Sequence, residues 1–176
     1  MELLAGEIMD PVYPALRHDE PLGSAADRMD AWEVSVLPVV ESSGAGSFLV
    51  GILSEADLLA SYARGRAYLR PDLKVADVMR PQPMSVTRDT PLWVLASILS
   101  RFDLRFLPVV QAGRLIGVVR RCDVLKALER RHRHWAARPA EERLIPAIPD
   151  IFTPVYERRA AAVLAETSPA SATTVF

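Results

Sequence analysis

The tetrapeptide Leu37-Pro38-Val39-Val40 recurs letter for letter at Leu107-Pro108-Val109-Val110, 70 residues further on. A two-copy repeat constrains the architecture before any local pattern does. At the same offset Met9 and Pro11 match Met79 and Pro81, and Asp19, Pro21 and Leu22 match Asp89, Pro91 and Leu92. Beyond the tetrapeptide the offset falls to 66, because the Gly/Ser-rich turn from Ser42 to Phe48 is longer than its counterpart from Gln111 to Arg114. The match then resumes, with Gly51-Ile52-Leu53-Ser54-Glu55-Ala56-Asp57 running against Gly117-Val118-Val119-Arg120-Arg121-Cys122-Asp123.

Each copy has the same order of local signals. In the first, Pro11 forbids a helix and keeps Asp10 extended, leaving a short extended piece near Val12. Asp19-Glu20-Pro21-Leu22 then reads as a helix start, an acid to cap and proline at the first helical position. Leu22, Ala25, Ala26 and Met29 follow as an apolar stripe. Val34 to Val40 and Phe48 to Leu53 are strand-like, and Ser54 opens a helix expected to bury Leu58 and Leu59. The second copy gives an extended piece at Ser85-Val86 and a helix striped by Leu92, Leu95, Ile98, Leu99 and Phe102. Strands at Phe106 to Val110 and Leu115 to Val119 precede a closing helix that Asp123 to Glu129 opens. The expected fold is therefore α/β (α+β): two β-α-β-β-α units, 7–62 and 78–131, joined by the basic linker 63–77. Units of about 55 residues bury too little surface to stand alone, so they pack as one module about a pseudo-two-fold axis. A C-terminal extension, 132–176, is Pro-rich, then helical from Val155 to Glu166, with a frayed end.

Bulk composition excludes several classes. A formal net charge of −1 gives no global pull toward nucleic acid or an anionic membrane. The single cysteine, Cys122, rules out an intrachain disulfide framework. The first residues carry no basic n-region with a long apolar run, and no stretch approaches the length of a spanning helix. The expectation is a soluble, cytoplasmic protein.

The motif order VM-x-P (IM-x-P in the first copy), D-x-P-L, L-P-V-V, then Gly-hydrophobic-hydrophobic-x-x-x-Asp-hydrophobic-Leu, present twice between Glu7 and Arg131, resembles a tandem cystathionine-β-synthase (CBS) domain pair, or Bateman module. The resemblance implies a stand-alone regulatory module that binds an adenosine-containing ligand, such as AMP, ADP, ATP or S-adenosylmethionine, between its units, with no obligatory cofactor. It places Asp57 and Asp123 on the ribose hydroxyls, where a carboxylate can accept two charge-assisted hydrogen bonds. It places Ser54 on ribose or phosphate, and Leu37, Pro38, Leu107 and Pro108 along the adenine slot. It also implies a homodimer of modules and an unidentified protein effector. The second copy departs from the family pattern, with Arg120 in place of the hydroxyl residue and Arg121 after it. Two readings stand: the guanidiniums grip phosphate beside a helix N-terminus, or Arg120 closes the second cleft.

Plainer readings run beside these. Ser54-x-x-Asp57 is also a capping box, which needs no ligand. Asp123 near a helix start is favourable through the helix dipole alone. Residues 126–138 carry five basic side chains and one acidic, with Trp135 available for stacking; a nucleic-acid surface is the sharp alternative and a solvated helix end the plain one. His132 and His134 lack a Cys or Asp partner for a metal. Arginine beside Cys122 can lower its pKa, though a small residue at a helix start suffices. Trp32, Trp93, Met29 and Met79 read as core or dimer-interface residues. No nucleophile elbow, Walker loop, dinucleotide fingerprint or zinc-protease motif occurs, so no enzyme is expected. A purely structural adaptor with both clefts closed completes the alternatives.

Overall fold

The computed structural model describes residues 2–65, 70 and 72–137. The extension beyond Ala137, with its expected helix from Val155 to Glu166, lies outside the described residues, as does much of the linker. The first repeat contributes α1 (Ala5–Ile8), β1 (Leu16–Arg17), α2 (Gly23–Ala31), β2 (Val36–Ser43), β3 (Gly46–Ser54) and α3 (Glu55–Ala63). After a 3-10 turn at Val75–Asp77 the second contributes β4 (Arg80–Pro81), β5 (Val86–Thr87), α4 (Leu92–Arg101), β6 (Phe106–Gln111), β7 (Arg114–Arg120) and α5 (Arg121–Ala136). The strands form one sheet in the order β1-β2-β3-β7-β6-β5, with β4 added to β3.

The repeat is kept in the register. Leu16 pairs with Val39 in the first copy and Val86 with Val109 in the second, both parallel. Each long hairpin carries a bulge at the same place, between Val39 and Val40 and between Val109 and Val110. The two hairpins meet at one pairing, Phe48 with Arg114, where the Arg114 guanidinium lies 5.8 Å from the Phe48 ring centroid.

Each copy lends its leading arm to the other. Ala5 and Gly6 donate to Thr90 and Arg88 carbonyls, and Val75 and Ala76 donate to Glu20 and His18 carbonyls. Asp10 and Val118 exchange two backbone bonds, and Arg80 pairs with Ile52. The two cores follow this exchange. One holds Leu16, Leu22, Met29, Leu37, Leu53 and Leu58 with Leu73 and Val75 from the later arm. The other holds Val86, Leu92, Leu95, Leu99, Leu107 and Val119 with Ala5 from the first arm.

Both helix starts differ from expectation for the same reason. The α2 helix begins after Leu22 with no side-chain cap, Asp19 instead pairing with Arg17, and α4 begins after Pro91. The backbone N–H groups of Leu22 and Leu92 are taken by the Leu73 and Leu3 carbonyls, so the partner arm satisfies a group that a cap would otherwise serve. The stripes are also narrower than expected: Ala26 is exposed, and Leu59 is 69% and Phe102 50% exposed. The closing helix runs over Arg121–Ala136 and includes the expected opening.

The arms approach the sheet at glycine. A Cβ on Gly117 would stand 2.9 Å from the Asp10 carbonyl oxygen, and one on Gly51 would stand 3.0 Å from that of Arg80. Backbone cannot move aside as a flexible side chain can. Gly117→Ala is therefore expected to cost about 1–3 kcal/mol of stability by overpacking, read by urea unfolding. Buried Ser61, at the position Ala127 holds in the second repeat, has an Oγ with no hydrogen-bond partner among the described residues. Ser61→Ala is expected to stabilise by about 1 kcal/mol in the same measurement.

Candidate functional site

The hairpin β2–β3 delivers Ser54 to the N-terminus of α3, and the extended Ser54 backbone lets its side chain turn back on the helix. Asp57 N donates to Ser54 Oγ at 3.3 Å, and Ser54 N donates to Asp57 Oδ2 at 2.9 Å. The expected capping box is therefore present, and Ser54 Oγ also donates to Asp57 Oδ2. The partner arm adds Arg80, whose Nε donates to Asp57 Oδ2 at 3.2 Å and whose Nη2 reaches Ser54 Oγ at 3.2 Å. Among the described residues every hydrogen bond to the Asp57 carboxylate ends on Oδ2. Oδ1 keeps its acceptor capacity.

Ser54 and Arg80 form part of the wall of a cleft of about 380 Å³. Ser35, Val36, Ile52, Glu55 and Ala56 continue the wall on the first repeat, and Met84 continues it on the second repeat's leading arm. Phe102 to Phe106 and Pro108 close it from the second repeat. Alternation along β6 explains the choice: Phe106 and Pro108 face the cleft, while Leu107 is fully buried in a core. Leu37 is likewise fully buried in the other core, with Pro38 beside it on the strand. The side chains of Leu37 and Leu107 thus point away from the cleft.

Arg105 also lines this cleft, and its guanidinium donates to Ser35 Oγ at 3.3 Å, with no carboxylate partner among the described residues. Arg121 braces the same wall from outside, donating to the Leu104 carbonyl at 2.8 Å and to Asp103 at 2.9 Å.

The equivalent positions in the second repeat are wired differently. Arg120 Nε and Nη2 grip Asp123 Oδ2 and Oδ1 at 2.9 and 3.2 Å, and the Arg120 backbone N–H adds a third bond. Both carboxylate oxygens are engaged. Asp10, the counterpart of Arg80, lies 3.8 Å from the same guanidinium. The Asp123 hydrogen bonds push the Arg120 pKa up, so this charge is permanent at any working pH. Tyr13 comes close as well: its Oη donates to the Val36 carbonyl at 3.0 Å and its ring stacks on Phe106 at 6.0 Å between centroids. Burial raises the phenol pKa, with Arg120 lowering it and Asp10 raising it to smaller extents.

Of the residues singled out from sequence, Ser54, Pro108 and, through Ser54, Asp57 gather at the open cleft. Arg120 and Arg121 diverge, one to Asp123 and one to Asp103. Sequence reasoning did not single out Arg80, Arg105, Met84 or Tyr13. A signal existed: at the 70-residue offset Arg80 faces Asp10 and Arg105 faces Ser35, charge changes within otherwise matched repeats. Residues 128–134 of α5 are all exposed, as a solvated helix end would be. Among the described residues no cluster suited to a metal ion occurs, and no helix is long and apolar enough to cross a membrane.

Comparison with known proteins finds the same module. The CBS domain family model matches twice, at residues 5–64 and 75–130. The magnesium transporter MgtE of Thermus thermophilus is 33% identical over 131 residues, covering 71% of this chain and 27% of its own length. Inosine-5'-monophosphate dehydrogenase of Staphylococcus haemolyticus is 32% identical over 147 residues, covering 81% of this chain and again 27% of its own. This chain thus spans about a quarter of both. Among solved structures, CBSX2 from Arabidopsis thaliana, in complex with AMP, superimposes with a TM-score of 0.64 at 29% identity, over 73% of this chain and 98% of that one.

Proposed function

The chain belongs to the CBS-domain family, and from that membership we propose that it is a non-catalytic sensor of an adenosine-containing ligand, held in the cleft beside Asp57. The observation that carries this reading is the open cleft whose wall includes the two side chains, Ser54 and Arg80, that hold Asp57 by one oxygen alone. Its volume falls within the about 300–1,000 Å³ of small-molecule sites. The complex of CBSX2 with AMP supports an adenine nucleotide as the class, with S-adenosylmethionine a further candidate of the same shape.

In this reading the ribose hydroxyls donate to Asp57, whose free Oδ1 accepts without dismantling the capping box. Adenine lies against Val36, Ile52 and Pro108. The phosphate meets Arg105, the guanidinium with no carboxylate to neutralise it. Arg80 bridges the two ends of the ligand and supplies the switch: a ligand that competes for Asp57 frees Arg80, and only such a differential contact can shift one arrangement toward another. A protein effector reading that shift, in a cytoplasmic setting, completes the proposal.

The module pairs with a second copy through its helices. Leu59 and Leu125 occupy equivalent places on α3 and α5 and are 69% and 57% exposed, and Trp32 and Phe102 do the same at the ends of α2 and α4. Matched apolar exposure on both repeats suits an isologous two-fold contact. Leu59→Glu with Leu125→Glu is expected to give a monomer by analytical ultracentrifugation; an unchanged mass would remove the dimer through this face.

Titration calorimetry with AMP, ATP and S-adenosylmethionine tests the ligand. One class is expected to bind, and Asp57→Ala to weaken it at least about 10-fold, the loss of a charge-assisted hydrogen bond worth about 1.5–3 kcal/mol. Arg105→Ala is expected to weaken AMP more than adenosine. No heat from any of the three ligands, or unchanged affinity in folded Asp57→Ala, would leave the closed-cleft adaptor as the better account.

A further inference from the structure

We infer that the second cleft of the module is a ligand site already filled by the chain's own Tyr13 ring, so that each chain takes up one nucleotide and not two. The inference rests on the reading of the Asp57 cleft as an adenosyl site and adds the fate of its counterpart.

The exchange of arms defines what the second cleft should contain. The open cleft is walled by Phe106, Val36, Ser54 and Arg80. Under the repeat these become Val36, Phe106, Arg120 and Asp10. Tyr13 engages the first two directly, the Val36 carbonyl through Oη and the Phe106 ring by stacking with planes 16° apart. A flat ring with a donor at its edge, stacked on an aromatic residue and bonded to a strand carbonyl, presents what an adenine base and its amino group would present there. The position that matches Tyr13 in the second repeat is Pro83, which has neither an aromatic face nor a donor.

The polar end of the second cleft is closed to match. A ribose needs a carboxylate with spare acceptor capacity, and Asp123 has both oxygens engaged by Arg120, whereas Asp57 keeps Oδ1. The Ser-to-Arg change at position 120 and the Pro-to-Tyr difference at position 13 therefore act together, one on the diol site and one on the base site. The self-made contacts also tie the first arm to both hairpins, since Val36 belongs to the first repeat and Phe106 to the second.

Equilibrium dialysis of the full chain against radiolabelled AMP counts the sites. Wild type is expected to bind one AMP per chain and folded Asp57→Ala none. The triple variant Asp10→Arg/Tyr13→Ala/Arg120→Ser, which copies the open cleft, is expected to bind two. Its parent Asp10→Arg/Arg120→Ser, which keeps the tyrosine, is expected to bind one. Two AMP per wild-type chain, two in the parent variant, or one in a triple variant that still melts cooperatively would each overturn the inference. If Tyr13→Ala prevents folding, Tyr13→Pro, the residue of the second repeat, replaces it in the triple variant and the same counts apply. Absence of AMP binding throughout would instead strike the proposed ligand class. In that case phenol is added to Tyr13→Ala: a rise in its melting temperature that wild type does not show supports a ring-shaped cleft beneath Tyr13, and no rise overturns it.

Discussion

The reciprocal exchange of the two leading arms is the constraint on which the rest of the structure depends. Each repeat leaves two backbone carbonyls and one helix-start N–H exposed on its edge, and in each the other repeat's arm satisfies them. Unpaired backbone groups in a buried edge are costly, so neither half is complete without the other's arm. The same exchange fills the cores, with Ala5 in one and Leu73 and Val75 in the other. It also explains why both glycines at the crossing, Gly51 and Gly117, admit no side chain.

The exchange sets the chemistry of the clefts as well. Because the arms cross, the carboxylate of one repeat meets the residue that leads the other. Asp57 meets Arg80, whereas Asp10 meets Arg120, the residue that holds Asp123. The serine and arginine at positions 54 and 120 are then read against opposite partners. In one cleft Arg80 is shared between Ser54 and Asp57. The other holds an arginine locked bidentate onto Asp123 with a second acid near it. A bidentate guanidinium–carboxylate pair is pre-organised and loses little entropy on forming, so it is hard for a ligand to displace. Near-identical backbones thereby support one cleft with an available acceptor and one without.

The proposed sensor role suits a cleft whose wall is spread across elements that belong to different repeats. Ser54, Phe106 and Arg80 come from a first-repeat hairpin, a second-repeat hairpin and the connecting arm. A ligand bridging them changes the balance of contacts between halves, whereas one bound within a single repeat would not. Arg121 sits at the same junction, bracing Asp103 and Leu104 from the start of α5. That helix continues to Ala136, and its residues 128–134 are exposed.

The sequence by itself determined the two-fold repetition, the strand–helix order of each copy, the inward-facing leucines and valines, and the carboxylates at positions 57 and 123. Those features are periodic or local, and a fixed offset between matched letters exposes them. The capping box at Ser54 was equally legible, because it involves residues three apart. Tertiary structure alone decided which arm packs on which repeat, and hence that Arg80 reaches Asp57 and that Tyr13 reaches Val36, 23 residues away in each case. It decided that Leu59 and Phe102 face outward although their spacing suits a buried stripe, since the helices bury one narrow edge against their own sheet. It also placed the Leu37 and Leu107 side chains in the cores, a matter of which face of the strand meets the cleft. Side-chain identity is written in the chain, but partnership across an exchanged arm is a property of the fold, because backbone pairing between distant segments sets it.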